Sequence, residues 1–321
     1  MLSISNRLKC RIRAGGVFLL AVLALWSYEG IAASYAIKDD VVGEVTYYRT
    51  QTDDNLYALA RHYDLGIVEL FSANPGVDAW QPQTDTQLTI ASMYVLPSGK
   101  REGIVINLAE MRLYFYHSDK TMLTFPVGIG REGWQTPTGQ TRILRKRKHP
   151  VWTPPPSIRK ESPHLPASFP PGPDNPLGDY ALDLGLPGIL IHGTNRPHGI
   201  GKRVSHGCMR LYPEDIEQLF ALVEAGAPVT IIDAPYKLGW RGNMLFLEVS
   251  PTQQQADAIA NYQLPGAKSQ PEIYDLIQQA EKEGARIDWY AAEEAIIRQD
   301  GIPWVIGEKS LQENKNAASK N

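Results

Sequence analysis

The sequence predicts a mainly β protein with α+β additions. Three observations carry that expectation: β-branched and aromatic runs follow one another from Gly103, proline is dense between His149 and Pro176, and a well-formed amphipathic stretch begins after Tyr212. The chain has 321 residues, 43% hydrophobic and 21% charged, enough to bury a large core across two or three domains. A net charge of −3 lacks the basic excess of a phosphate-binding face, so nucleic acid is excluded as a partner class.

At the N-terminus, Arg7, Lys9, Arg11 and Arg13 precede the 13-residue run AGGVFLLAVLALW and the small residues GIAAS. These are the three parts of a secretory signal. The apolar run is shorter than the ~20 residues of a bilayer-spanning helix. Residues 1–34 are therefore expected to be a signal peptide cleaved near Ser34, with an uncleaved anchor as the alternative. Cleavage would remove Cys10 and leave an exported, acidic chain of charge −6 with the single thiol Cys208. An odd cysteine in an oxidising compartment is either a reactive group or a small buried hydrophobe, and the count does not choose.

Residues 44–98 read as a small βααβ unit. Leu56, Leu59, Ala60 and Tyr63 share one helical face, and Asn74-Pro75-Gly76 marks a turn before the closing run QLTI. From Gly103, the runs GIVINL, MRLYFY and MLTFPVGIG read as strands, with turns at Ala109-Glu110 and Ser118-Asp119. The segment from His149 to Pro176 carries TPPPS and FPPGPDNP; it cannot continue helices or central strands, and reads as a long ordered loop or lid. The preceding run Arg145 to Lys148 reads as a solvated strand end. After Tyr212, Pro213 suits a first helical turn and Glu214 and Asp215 complement its dipole. Ile216, Leu219, Phe220 and Val223 form one face, and Gly226 can close the helix before the strand PVTII. Amphipathic pieces around Ile273–Ala280 and Trp289–Ile297 suggest a small C-terminal subdomain over residues 240–321.

The stretch IHGTNRPHGIGKRVSHGCMRL, residues 191–211, gathers three histidines, a cysteine and four glycines between a strand-like run and a helix. A thiol needs a neighbouring base to act as a nucleophile near neutral pH, and backbone N–H groups beside Gly207 could approach the oxyanion of an attacked carbonyl. His192, His206 and Cys208 are also possible zinc ligands. No carboxylate lies in the motif to orient the imidazoles, so no metal or other cofactor is expected.

HGT followed by SHGCMRL, together with PVGIG and TPTG upstream, resembles the signature of L,D-transpeptidases with a YkuD-type catalytic domain, over residues 100–233. The resemblance implies a β-sandwich-like catalytic fold. It also implies Cys208 as nucleophile, His192 as general acid/base, the Gly193 carbonyl as its orienter, and Ser205, His206 and Gly207 as the oxyanion hole and its support. Arg210 would meet a substrate carboxylate. Thr194 and Trp152 are further candidates for substrate contact, Trp152 either lining the acceptor side or anchoring the lid. Residues 44–98 resemble a LysM module, a glycan-binding fold, with the polar QTDT in place of the usual glycine-containing turn. The whole arrangement resembles the periplasmic enzymes that attach the major outer-membrane lipoprotein to peptidoglycan. Peptidoglycan tetrapeptide stems and glycan, a lipoprotein acceptor and carbapenem inhibitors are the partners this implies. Formation of 3→3 cross-links and a non-enzymatic wall-binding role are the alternatives.

Overall fold

The computed structural model describes residues 34–266 and 270–310; of the expected signal peptide, only Ser34 falls within them. A curled nine-stranded sheet runs in the order Ser34–Ala36, Thr121–Pro126, Arg112–Tyr116, Gly103–Asn107, Pro228–Ile232, Gly139–Lys148, Tyr180–Leu184, Leu190–His192 and Met209–Arg210. The expected mainly β class holds. Its central strands read as continuous apolar runs because both faces are covered. In Arg112–Tyr116, Leu113 and Phe115 enter the main core while Tyr114 and Tyr116 enter a second cluster on the opposite face. Two neighbouring pairs within this sheet are parallel, Gly103–Asn107 with Pro228–Ile232 and Leu190–His192 with Met209–Arg210. The second is joined by the glycine-rich crossover 193–208.

The proline-rich segment contains one short helix, Pro156–Glu161, where a loop alone is expected. Proline's fixed φ and missing N–H suit a first helical turn, and Pro156 occupies it. Asn175 shapes the rest: it is 1% exposed, its amide donates to the carbonyls of Pro150, Phe169 and Pro170, and its Oδ1 accepts the N–H of Leu177. Helix Pro213–Leu222 buries Ile216 and Leu219 as the apolar spacing predicts, but it stops before Gly226. Val223 is already extended, held in the core, and Gly226 instead turns the chain with φ +91 while donating its N–H to the Ile143 carbonyl.

Near the N-terminus, strands Val41–Arg49 and Gln87–Val95 pair antiparallel around helices Leu56–His62 and Ile67–Ala73. Asn74 ties the second helix to the closing strand through the carbonyls of Leu70 and Thr89 and the Thr89 N–H. The apolar faces of both helices belong to the same core cluster as the nine-stranded sheet. The packing is thus continuous across the boundary between residues 44–98 and the sheet. Arg112, 1% exposed, reaches from the sheet to the Glu69 carboxylate at 2.7 Å and lies 4.4 Å from the Tyr94 ring centroid. Gly201 adopts φ +71 against Gly66, where an added Cβ would sit 2.4 Å from the Gly66 Cα.

The C-terminal segment forms a four-stranded antiparallel sheet in the order Tyr236–Arg241, Met244–Val249, Trp304–Lys309, Ala285–Ile287. It therefore begins a few residues before 240 and contains strands as well as the two expected amphipathic helices, Glu272–Lys282 and Trp289–Arg298. It has a core of its own. Buried Lys237 bridges its Glu248 to Glu110, in the turn that joins Gly103–Asn107 to Arg112–Tyr116, at 2.9 and 2.7 Å, while Glu248 accepts the Val95 N–H.

Candidate active site

The parallel strands Leu190–His192 and Met209–Arg210 register Ile191 against Met209, both fully buried, and His192 against Arg210. Side chains alternate along a strand, so His192, Cys208 and Arg210 belong to the face opposite the core. Cys208 immediately precedes Met209, the partner of Ile191, so it lies one diagonal step from His192 on the neighbouring strand. The thiol is held by the strand itself: Sγ accepts the Leu190 N–H at 3.3 Å and lies 3.5 Å from the Gly188 carbonyl.

His192 is 3% exposed, and its Nδ1 lies 2.6 Å from the Gly193 carbonyl. A carbonyl only accepts, so Nδ1 carries the hydrogen and neutral imidazole presents a bare Nε2, the atom a base needs. Burial, reinforced by the nearby Arg210 charge, pulls the imidazole down to about 3. Burial also pushes the Cys208 thiol above its ordinary 9.0, against the Leu190 N–H and Arg210, which favour the thiolate. The resting pair is neutral thiol and neutral imidazole.

The remaining expected residues divide into those that shape the backbone and those that lie apart. Ser205, 1% exposed, donates Oγ–H to the Cys208 carbonyl at 2.6 Å and accepts the Gly207 N–H at 3.1 Å. The Gly207 N–H is thus occupied, contrary to its expected role as an oxyanion donor. The Cys208 N–H makes no hydrogen bond among the described residues. Thr136 of TPTG donates to the Gly207 carbonyl at 2.9 Å and accepts the Gly130 N–H at 3.0 Å, which joins the two motifs. Gly207 has φ +101, a conformation that glycine adopts without strain. His206 touches Glu161 at 3.1 Å and Arg131 at 2.9 Å, and its ring meets Trp134 edge to face.

Arg210 is partly buried; its backbone is clamped by two 2.8 Å hydrogen bonds with Gly128, and its Nε has no partner among the described residues. It is the cation that bears on both Cys208 and His192. Thr194 is 4% exposed and accepts the Arg196 N–H, so it shapes the loop. Trp152 pairs with Phe169 through two backbone hydrogen bonds and a ring contact at 5.3 Å, so it anchors the proline-rich segment.

Sequence reasoning misses a group of charges. Asp183, in register with Leu190, binds both Arg145 and Arg147 and acts electrostatically on Cys208. Arg145 and Arg147 stand at i and i+2 of one strand, so the run is not merely a solvated strand end; that spacing, with one acid in the apolar strand YALDL, is the signal that could find it. Glu161 is missed as well. It sits at the end of the short helix and ties the proline-rich segment to Arg131 and His206. Among the described residues, no group of three or more His, Cys, Asp or Glu is placed to hold a metal ion.

Residues 101–231 match the model of the YkuD L,D-transpeptidase catalytic domain. The "Probable L,D-transpeptidase ErfK/SrfK" of Escherichia coli K12 is 37% identical over 301 residues, covering 89% of this chain and 94% of that protein. From the same strain, "Probable L,D-transpeptidase YcfS" is 44% identical over 63% of this chain and 67% of its own length. "Probable L,D-transpeptidase YbiS" is 39% identical over 76% and 80% respectively. A cysteine and a histidine on one face of adjacent strands, inside a match of this length, lead to one conclusion: the chain belongs to the L,D-transpeptidase family of cysteine-dependent acyltransferases, with a YkuD-type catalytic domain.

Proposed function

We propose that Cys208 forms a thioester with the third residue, a diamino acid, of a peptidoglycan tetrapeptide stem, releases the terminal D-alanine, and passes the acyl group to the C-terminal lysine amine of an outer-membrane lipoprotein. The observation that carries the chemistry is the His192 imidazole, its Nδ1–H fixed by the Gly193 carbonyl, on the same sheet face as Cys208, whose Sγ accepts the N–H of Leu190 in the same strand as His192. In the first step sulfur attacks the stem carbonyl while its proton passes to His192 Nε2. The oxyanion forms next to the Cys208 N–H, and Arg210 receives the stem's terminal carboxylate, a geometry that suits a planar guanidinium. His192 returns the proton to the leaving nitrogen, the C–N bond breaks, and D-alanine departs. An amine then attacks the thioester, gives its proton to His192, and the C–S bond breaks as the proton returns to sulfur. A carbapenem presents the same carbonyl to the same thiol through a strained ring, and we propose that it acylates Cys208.

The acceptor rests on the full-length arrangement: a LysM-like unit at 44–98 that binds glycan, the TPPPS and GPDNP segments, the catalytic motif and the C-terminal extension together resemble the lipoprotein-attaching enzymes. Location in the periplasm is part of the same reading and rests on residues 1–34. The test supplies a tetrapeptide donor with equal amounts of a lysine-terminated peptide and a second stem, and identifies products by mass spectrometry. A lysine-linked product in excess is expected; 3→3 dimers alone, or only the hydrolysed tripeptide, would remove the lipoprotein from the account.

A further inference from the structure

Between helix Leu56–His62 and the segments that leave the catalytic strands lies a cleft of about 1010 Å³. One wall carries Asn55, Tyr57, Arg61 and Trp80; the other carries His198, Tyr212, Glu217 and Gln218. The cysteine chemistry uses none of them. Three rings form a layered platform: Tyr57 lies 4.7 Å from Trp80 and 5.1 Å from His198 between centroids, tilted by 31° and 33°. Tyr57 is buried beneath them, its hydroxyl taken by Lys202 at 2.7 Å and Tyr262 at 3.0 Å. Trp80 is 53% exposed and His198 is exposed, so both offer their rings to a ligand. Across the cleft Arg61 grips Glu214 through two hydrogen bonds of 2.6 and 2.7 Å, which spends its charge internally.

Aromatic faces beside amide, carboxylate and hydroxyl groups, without excess positive charge, fit neither a phosphate polymer nor a wholly apolar segment. They fit a neutral sugar chain, whose rings have apolar faces and hydroxyl or acetamido edges. Position supports the same ligand. Tyr212 is four residues from Cys208 and His198 is six from His192, so chain reach places them within roughly 14 and 21 Å. A three-residue stem spans roughly 10 Å.

We infer that this cleft seats the N-acetylated amino-sugar strand that bears the reacting stem, with Trp80 and His198 as its stacking surface. The inference rests on the proposed stem chemistry and adds that the sugar site is shared between the N-terminal unit and the catalytic domain. Its test uses the full chain and two donors, a disaccharide–tetrapeptide and the sugar-free tetrapeptide, with a soluble N-acetylglucosamine hexamer as a binding probe. In wild type the sugar-bearing donor should have the higher kcat/KM. Trp80→Ala and His198→Ala should each lower that preference about tenfold and weaken hexamer binding by a similar factor, with Trp80→Phe restoring most of both. Equal use of the two donors by wild type, or variants that bind and discriminate as wild type does, would overturn the cleft and leave the reaction standing. Hexamer binding lost in the variants while wild type transfers no acyl group would keep the cleft and refute the reaction. Displacement of the hexamer by a lysine-terminated peptide would assign the cleft to the acceptor and overturn the inference.

Discussion

If the resting site holds thiol and imidazole rather than thiolate and imidazolium, Cys208 should show two different pH dependences with two kinds of reagent. The structure sets the magnitude. With the imidazole at about 3 and the thiol above 9.0, moving the proton between them costs on the order of 8 kcal/mol before the new charges attract each other. Thiolate is then no more than about 1% of the protein at pH 7. Iodoacetamide, which needs the thiolate and offers no oxyanion, should react about tenfold faster for each pH unit between roughly 6 and 9. Carbapenem acylation draws on His192 as base during attack, and His192 is unprotonated throughout that range, so its rate should be nearly flat from roughly pH 5 to 8. His192→Gln should slow acylation by roughly 10²–10⁴ and give it the steep dependence of alkylation. Both rates follow from stopped-flow mixing and intact-mass sampling. Alkylation that levels off above pH 6 would reveal a preformed thiolate–imidazolium pair and refute the reasoning.

Three further outcomes test the frame around the site. Glu69→Gln leaves the buried Arg112 guanidinium without its carboxylate and should destabilise the whole chain by about 3–5 kcal/mol; an unchanged denaturant midpoint would show that the N-terminal unit is not locked to the sheet as described. Asn175→Ala removes the hydrogen bonds that shape the proline-rich segment, so limited proteolysis should cut first between residues 149 and 176, and wild-type protection would contradict that role. Because His192 is held neutral when folded but titrates near 6.5 when unfolded, the unfolded chain binds more protons between those values. Its contribution is complete above about 6.5 and declines as pH falls toward about 3, by on the order of 4–5 kcal/mol in total; His192→Gln should therefore flatten the acid side of the stability profile.

Much of this arrangement was legible in the sequence because local patterns survive folding. Ile216 and Leu219 repeat at helical spacing and are buried as a face, and the strands from Gly103 are apolar runs because they are covered on both sides. The neighbourhood of Cys208 and His192 follows from one motif on two adjacent strands. What was not legible depends on residues far apart in the chain. Asp183 reaches the thiol's surroundings through strand register, and Glu161 reaches His206 across 45 positions. Ser205 takes the Gly207 N–H because that loop folds back on itself, a matter of backbone direction rather than residue type. The neutral state of the pair comes from burial, which no spacing of His and Cys reveals.

The central claim is that the Cys208 sulfur carries the acyl group. Mixing the protein with a tetrapeptide donor in the absence of an acceptor amine, quenching in acid and measuring intact mass addresses it directly. Wild type should gain the mass of the tripeptide acyl group while one equivalent of D-alanine appears, and Cys208→Ala, a replacement of similar size, should stay folded and gain nothing. D-alanine release without any adduct on wild type, or an adduct retained by Cys208→Ala, would contradict the account.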